Sequence, residues 1–317
     1  MKRFLTKVLL LTLLCCGILL CVNIFVFGSQ FSSSYSAVLL DKLDRLNRIE
    51  EPKIILVGHS ALAFGIRSDM MEEALGMPVV NLGLHGALGN AFHEEIAKCN
   101  IRPGDIVVLS HSTFSDDGKI SDCANAWMTI DAHFELLRLC SLRDMVGMLA
   151  AYPTYFQTAY FHWREGAGED IPQNTPYSRY AFNEYGDVIY KPRELQMDPD
   201  SFFAENAVNL PEINRTCVDR INRLNAYVTK RGATLVIAGY PIAYGDYSTF
   251  SPSEIQAFES ELREVMDCDV ISDYTGYLYP YRLFYDTTLH LTQEGAEIRT
   301  QQLISELEQW RTATSAP

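Results

Sequence analysis

Lys53-Ile54-Ile55-Leu56-Val57-Gly58-His59-Ser60 is a run of four large apolar residues closed by a glycine and two polar residues. A strand with one wet face alternates apolar with polar; a strand buried on both faces does not, which is the habit of parallel sheets covered by helices. The residues that follow repeat the theme. Ser68 to Leu75 has helical character with Ser68 as N-cap, Pro78 to Leu82 is a second apolar strand, and Asn90 to Cys99 is a second helix. Arg102-Pro103-Gly104-Asp105 is a turn and Ile106 to Leu109 a third strand. Three strand–helix alternations within about 60 residues predict an α/β domain with a parallel sheet covered on both faces.

After the third strand the pattern degrades. Residues 113 to 210 are rich in Tyr, Phe, Trp, Asn, Asp and Pro; His133 to Ala151 contains helical spacing, and Tyr152 to Asn209 has no clear period. A long irregular segment in a compact protein is usually functional or mobile, so residues of about 115–210 read as a large insertion, a cap or lid over the sheet. Regular structure returns at Pro211. Ile213, Cys217, Ile221, Leu224 and Val228 mark one helical face, ended by Gly232. Thr234 to Ala238 is a strand, Ser251 to Met266 a helix with Pro252 in its first turn, and Val270-Ile271 a brief strand. Asp286 to His290 is a loop, Thr292 to Trp310 a final helix, and residues 313–317 a tail; the domain is expected over 53–312.

Upstream, Leu39, Leu40, Leu43, Leu46 and Ile49 recur at helical spacing, behind a Ser-rich spacer from Ser29 to Ser36. Residues 29–52 are therefore expected to be a linker and stalk helix. Lys2, Arg3 and Lys7 precede an apolar run from Val8 to Phe27, broken only by Thr12, Gly17 and Asn23. About 20 apolar residues span a bilayer as a helix. The positive flank stays in the cytoplasm, so residues 1–28 are expected as a signal anchor, single-pass in the cell membrane, with the main domain extracytoplasmic. Cleavage near Val26-Phe27-Gly28 competes with this, but the run is long for a signal peptide. Cys15, Cys16 and Cys21 follow Leu14, Cys15 and Leu20, not the small residue of a lipoprotein site.

The 317 residues are 48% hydrophobic and 21% charged, as in ordinary globular proteins. The net charge of −14 repels phosphate backbones, which makes nucleic acid a poor partner. Cys99, Cys123, Cys140, Cys217 and Cys268 show no CxxC spacing; they serve as buried small hydrophobes, or some pair outside the cytosol. His85, His93, His111 and His133 form no recognised metal-ligand spacing, so no metal or cofactor is expected, and His93 reads as a surface or interface residue. Tyr152, Tyr155, Phe156, Tyr160, Phe161 and Trp163 have the spacing of an apolar face, which favours packing over sugar stacking.

Ligands in open α/β sheets gather at the carboxyl ends of the strands. Ser60 follows the first strand, Asn81, Gly83 and Gly86 the second, and Ser110, His111 and Ser112 the third; Asp286 and His290 precede the last helix. A serine is a weak nucleophile until a base takes its proton. His290 is the candidate base, and Asp286 the group that would orient its imidazole. Backbone N–H groups of Ser60 and Gly86 and a side chain from the end of the third strand are candidate donors to a developing oxyanion. His59 and His111 would flank the same pocket. Spacing alone is weak evidence, because each residue singly is as often a cap or turn residue.

The set resembles the SGNH/GDSL hydrolase superfamily, in particular its divergent membrane-anchored bacterial branch, similar to D-alanyl-transfer proteins and alginate-type O-acetyltransferases. Gly58-His59-Ser60 matches the nucleophile block, and Asn81-Leu82-Gly83-Leu84-His85-Gly86 the N-x-G-x-x-G block. The resemblance covers Lys53 to Phe114 and Pro211 to Trp310. It implies a three-layer α/β/α flavodoxin-like fold and catalysis by Ser60, His290 and Asp286. It also implies oxyanion or substrate contacts from Gly86, Ser112, Asn81, His59 and His111. The sequence departs from the family twice. The last block puts Asp three residues before His, where this chain has Thr287, with Asp286 one residue earlier. The third block normally supplies an Asn, where this chain has Ser112. The implied function is an extracytoplasmic serine esterase or O-acyltransferase acting on an envelope glycan or lipid-linked ester. Its implied partners are the membrane and an envelope glycan or acyl-donor protein. The altered third block keeps open a second reading, a non-catalytic binding or assembly protein for envelope polysaccharide.

Overall fold

In the computed structural model, which describes residues 1–166, 174–196, 198, 208–246 and 248–315, the apolar run forms β1 (Ile54–Val57). It lies between β2 (Val79–Asn81) and β3 (Ile106–Leu109), parallel to both, with Ile55 opposite Val80 and Val107. β4 (Thr234–Ile237) adds beyond β3. β5 (Ile242–Ala243) and β7 (Leu278–Tyr279) pair apart from the main sheet, and β6 (Asp269–Val270) closes its edge. The order is β2-β1-β3-β4-β6, all parallel, a doubly wound arrangement.

All four residues of β1 are buried, as a strand without alternation requires. Successive side chains point to opposite faces. Ile55, Val57, Val107, Leu109, Leu235 and Ile237 therefore enter one apolar cluster, and Ile54, Leu56, Ile106, Val108 and Val236 another. Helices supply the far side of each.

Helix α1 (Lys2–Val22) and the π turn Asn23–Phe27 together are long and apolar enough to cross a membrane. Helix α2 (Val38–Arg48) is no stalk. Leu39 and Leu46 are fully buried in the first cluster, and Lys42 Nζ donates to the carbonyls of Asn81 (2.8 Å) and Gly186 (2.6 Å). Nor is Ser29–Ser36 a free spacer. The Ser29 hydroxyl and the Gln30 and Phe31 N–H groups all donate to the Asp131 carboxylate, and Phe31 and Tyr35 are buried. Serines disguised a segment whose aromatics do the packing.

Helices α3 (Ser60–Gly65) and α4 (Ser68–Leu75) cover the second face, while α5 (Asn90–Ala97) covers the first. Ser68 is not the cap of α4 but its first residue; its N–H and hydroxyl both donate to Asp187. Between β3 and β4 the chain forms α6 (Cys123–Ile130), which the sequence reading missed, then α7 (Leu142–Glu165). α7 runs straight through Pro153, and that proline, a usual helix breaker, hid the period after Tyr152. Pro153 lies on the exposed side. Within the expected insertion, residues 167–173, 197 and 199–207 lie outside the described residues. α8 (Arg215–Thr229), α9 (Pro252–Val265, with a Ser251–Glu254 capping box) and α10 (Gln293–Ser315) complete the two layers. α10 takes in the first residues of the expected tail; the last two lie outside the described residues.

Candidate active site

Gly58-His59-Ser60 sits where β1 ends. A Cβ on Gly58 would stand 2.6 Å from the Ser110 carbonyl oxygen, so only glycine lets β1 and β3 finish this close together. His59 then leaves the strand as N-cap of α3, its Nδ1 accepting the Ala61 N–H at 3.2 Å. Ser60, the first residue of α3, is thereby turned out of the sheet. Behind it the buried Arg299 of α10 donates to the Ala61 carbonyl (2.6 Å) and the Ser110 hydroxyl (2.8 Å), fastening α3 to the end of β3.

His290 arrives from the loop before α10. Its Nε2 lies 2.9 Å from Ser60 Oγ, and its Nδ1 lies 2.9 Å from Asp286 Oδ1. The four-residue spacing has a local cause. Thr287 Oγ1 accepts the N–H groups of Leu289 (3.2 Å) and His290 (3.0 Å), and Tyr285 N–H donates to the His290 carbonyl at 2.8 Å. Thr287 thus builds the turn from the position where the resemblance placed the acid, and Asp286 reaches the imidazole from one residue earlier. The Phe64 ring lies flat against the imidazole.

The other Asp286 oxygen accepts the Tyr177 hydroxyl, which the sequence did not single out. Burial alone would raise the Asp286 pKa, but the hydrogen bonds from His290 and Tyr177 outweigh it and hold the carboxyl below its usual range. Burial, then the bond to Asp286, pushes the Tyr177 phenol up, so it stays a donor. With an ionised Asp286 accepting from Nδ1–H, the lone pair of His290 faces the Ser60 hydroxyl. That is the orientation of a general base.

Burial drives His59 down to about 3, so this imidazole is neutral at physiological pH. Because Nδ1 accepts from Ala61, the ring proton sits on Nε2 and points at Ser112 Oγ. Ser112 is then an acceptor toward His59, and its own hydrogen is free to donate elsewhere. Ser60 and Gly86 each open a helical turn, where the backbone N–H has no intrahelical acceptor. All three border a cavity of about 430 Å3, whose wall also includes Tyr35, His85, Asn90, Thr113, Asp116 and Leu289. A Cβ at Gly86 would make only ordinary contact with His59, so packing does not demand this glycine.

Asn81 and His111 do not reach the cavity. Asn81 is fully buried, donating to the Leu62 carbonyl (3.1 Å) and Asp187 (2.8 Å) and accepting from Gly83 N–H (2.9 Å). A Cβ on Gly83 would lie 2.6 Å from Ala63 N, so this block joins the β2 loop to α3 by close approach. His111 Nε2 lies 3.0 Å from Glu94, which Arg220 also meets at 2.9 Å. Burial would raise the Glu94 pKa; the bond from His111 and the Arg220 charge outweigh it and keep the carboxyl low. Arg220 continues to Asp116 (2.9 Å), and Asp116 to Asn90 (2.6 Å), so a buried ionic chain props two residues of the cavity wall. His93, expected at the surface or an interface, is fully buried.

Elsewhere, Tyr155, Phe156, Tyr160 and Trp163 pack around Phe27 and Phe31, and none of them borders the cavity. Among the described residues the cysteines are all free thiols, with Cys140, Cys217 and Cys268 pushed up to about 12 by burial. Also among them, no group of three or more His, Cys, Asp or Glu is placed to hold a metal ion. No family model matches this sequence, and no curated protein is similar enough to it to count as a relative.

Proposed function

We propose that this chain is a membrane-tethered serine esterase or O-acyltransferase of SGNH type, with its main domain outside the cytoplasm. The observation that carries this reading is the relay Ser60 Oγ–His290 Nε2 at 2.9 Å and His290 Nδ1–Asp286 Oδ1 at 2.9 Å. Both lie within the 2.6–3.2 Å range of a working nucleophile and base, about half the separation at which a non-catalytic binding protein becomes the better reading.

Ser60 Oγ attacks the ester carbonyl as His290 takes its proton. The oxyanion meets the N–H groups of Ser60 and Gly86 and the hydroxyl of Ser112, the last standing in for an amide. The tetrahedral intermediate collapses, the leaving alkoxide takes the proton from His290, and an acyl-Ser60 remains. Water or a sugar hydroxyl, deprotonated by His290, then attacks the acyl carbonyl and releases Ser60, giving hydrolysis or transfer. His85, Asn90, Thr113 and Asp116 offer a hydroxyl-rich acceptor several hydrogen-bond partners. Tethering confines enzyme and substrate to one surface, which favours an envelope glycan or a lipid-linked ester.

The test is hydrolysis of p-nitrophenyl acetate by the full chain in nanodiscs, beside Ser60→Ala and His290→Ala. Activity lost in both variants supports the serine mechanism. A folded wild-type protein that neither hydrolyses the ester nor takes a fluorophosphonate on Ser60 overturns it and favours the binding-protein reading.

A further inference from the structure

One stripe of α7 meets two different surroundings. Leu142, Val146, Leu149, Phe156, Tyr160 and Trp163 are spaced by three, four or seven residues and so share one side of the helix. The C-terminal half of the stripe grips Phe27, the end of the apolar N-terminal segment, with ring centroids 5.1 Å (Phe156), 6.0 Å (Tyr160) and 5.4 Å (Trp163) away. The N-terminal half is bare. Leu142 is 90% exposed, Val146 73% and Leu149 70%. The helix already spends another side, Asp144, Met148, Tyr155 and Ala159, on the domain core. Arg143, Thr154 and Gln157, exposed on the remaining side, are polar.

We infer that the bare half of this stripe docks on the bilayer that α1 crosses, with Leu142, Val146 and Leu149 in the acyl–headgroup boundary. The inference rests on reading α1 as a membrane span, not on the catalytic reading. Continuity argues for lipid as the occupant. The stripe leads away from the residue at which the span ends, and Leu142 lies only about 21 Å along the helix from Phe156 at 1.5 Å per residue. Tyr160 and Trp163, half exposed at the junction, are the residue types that favour a membrane–water boundary. A helix with its apolar side in that boundary and a polar side in water is an interfacial helix.

The experiment uses the full chain in phosphatidylcholine–phosphatidylglycerol nanodiscs containing a phosphatidylcholine with a diazirine in its acyl chain. After photolysis, lipid adducts are mapped by peptide mass spectrometry. Adducts are expected on α1 and on Leu142, Val146 and Leu149, and not on Thr154 or on α8. The triple variant Leu142→Gln, Val146→Gln, Leu149→Gln, altered only at exposed positions, is expected to lose the α7 adducts and keep those on α1. Adducts on α1 with none on residues 142–149 overturn the docking and leave the span intact. Adducts on neither overturn the span reading, and the docking with it. Protein–protein crosslinks through residues 142–149 in place of lipid adducts assign the stripe to a second copy of the chain, and equally overturn the inference.

Discussion

Phe64 and His290 lie face to face, ring centroids 4.0 Å apart and planes within 8° of parallel. Phe64 is fully buried on α3, four residues after Ser60, so one short helix carries both Ser60 and the ring that lies against His290. Phe64→Leu keeps most of the volume and removes the flat support. Stability should fall by about 1.5 kcal/mol or less. Esterase kcat should fall further than that change suggests, about tenfold to a hundredfold, as the imidazole loses its fixed orientation. Steady-state kinetics beside thermal melting separate the two effects; an unchanged kcat would show that Asp286 alone aligns the ring.

Asp286 is held by His290 on one oxygen and by Tyr177 on the other. Asp286→Asn should lower kcat by about 10³–10⁴, because an amide there favours the wrong imidazole tautomer. Tyr177→Phe removes one donor from a carboxylate that keeps its main partner. It should cost about tenfold at most, a net 1–1.5 kcal/mol. The order of the two variants in kcat is the check, and equal losses would make Tyr177 a direct participant.

Ser112 receives the ring proton of His59 and keeps its own hydrogen for the cavity. Ser112→Ala should reduce kcat by about 10²–10³ with KM little changed, the signature of a donor used mainly in the transition state. Fluorophosphonate labelling of Ser60 should slow but persist, since nucleophile and base are untouched. A rise in KM at unchanged kcat would move Ser112 from the oxyanion to substrate binding.

His59 also gives stability a pH dependence of definite sign. Burial puts its folded pKa at about 3 against 6.5 for the free side chain. Between those values the unfolded chain binds more protons than the folded one, so wild-type stability falls as pH drops from 6.5 toward 3 and is unaffected by this group above 6.5. In His59→Gln that component disappears. Urea titrations at pH 7 and pH 4 should show the variant losing less stability on acidification, by on the order of a few kcal/mol. Parallel losses in both proteins would mean that His59 takes up a proton in the folded state.

The sheet was legible because its signal is local. Four consecutive apolar residues forced β1 to be buried on both faces, and β3 fell on Ile106–Leu109 as read. The relay was legible for a related reason: its members stand at strand ends or in a short loop, where topology gathers side chains whatever their separation in sequence. Tyr177, Arg299 and the Glu94–Arg220 pair were not. Each acts through a partner more than a hundred residues away, and helical spacing, where it is present, marks the apolar face and not these polar side chains. Asn81 and His111 show the converse error. Both occupy the correct strand ends, but their side chains turn inward to satisfy buried Asp187 and Glu94, which the sequence does not advertise. Pro153 and the serines of residues 29–36 misled because composition spoke for turns where the apolar neighbours packed.

The Asp131 carboxylate that collects Ser29, Gln30 and Phe31 makes the tether short as well as firm. Tyr35, in the cavity wall, stands only eight residues beyond Phe27, a path of at most about 29 Å even if fully extended. With α1 in the bilayer, the cleft proposed to be catalytic becomes a ruler of fixed length. An ester hydrolase or acyltransferase so tethered would reach esters presented close to the lipid surface and not those on the outer reaches of a long polymer. Modification would then have to happen while the acceptor is still being assembled or held at the membrane, so the timing of the chemistry is written into the distance between an anchor and a serine.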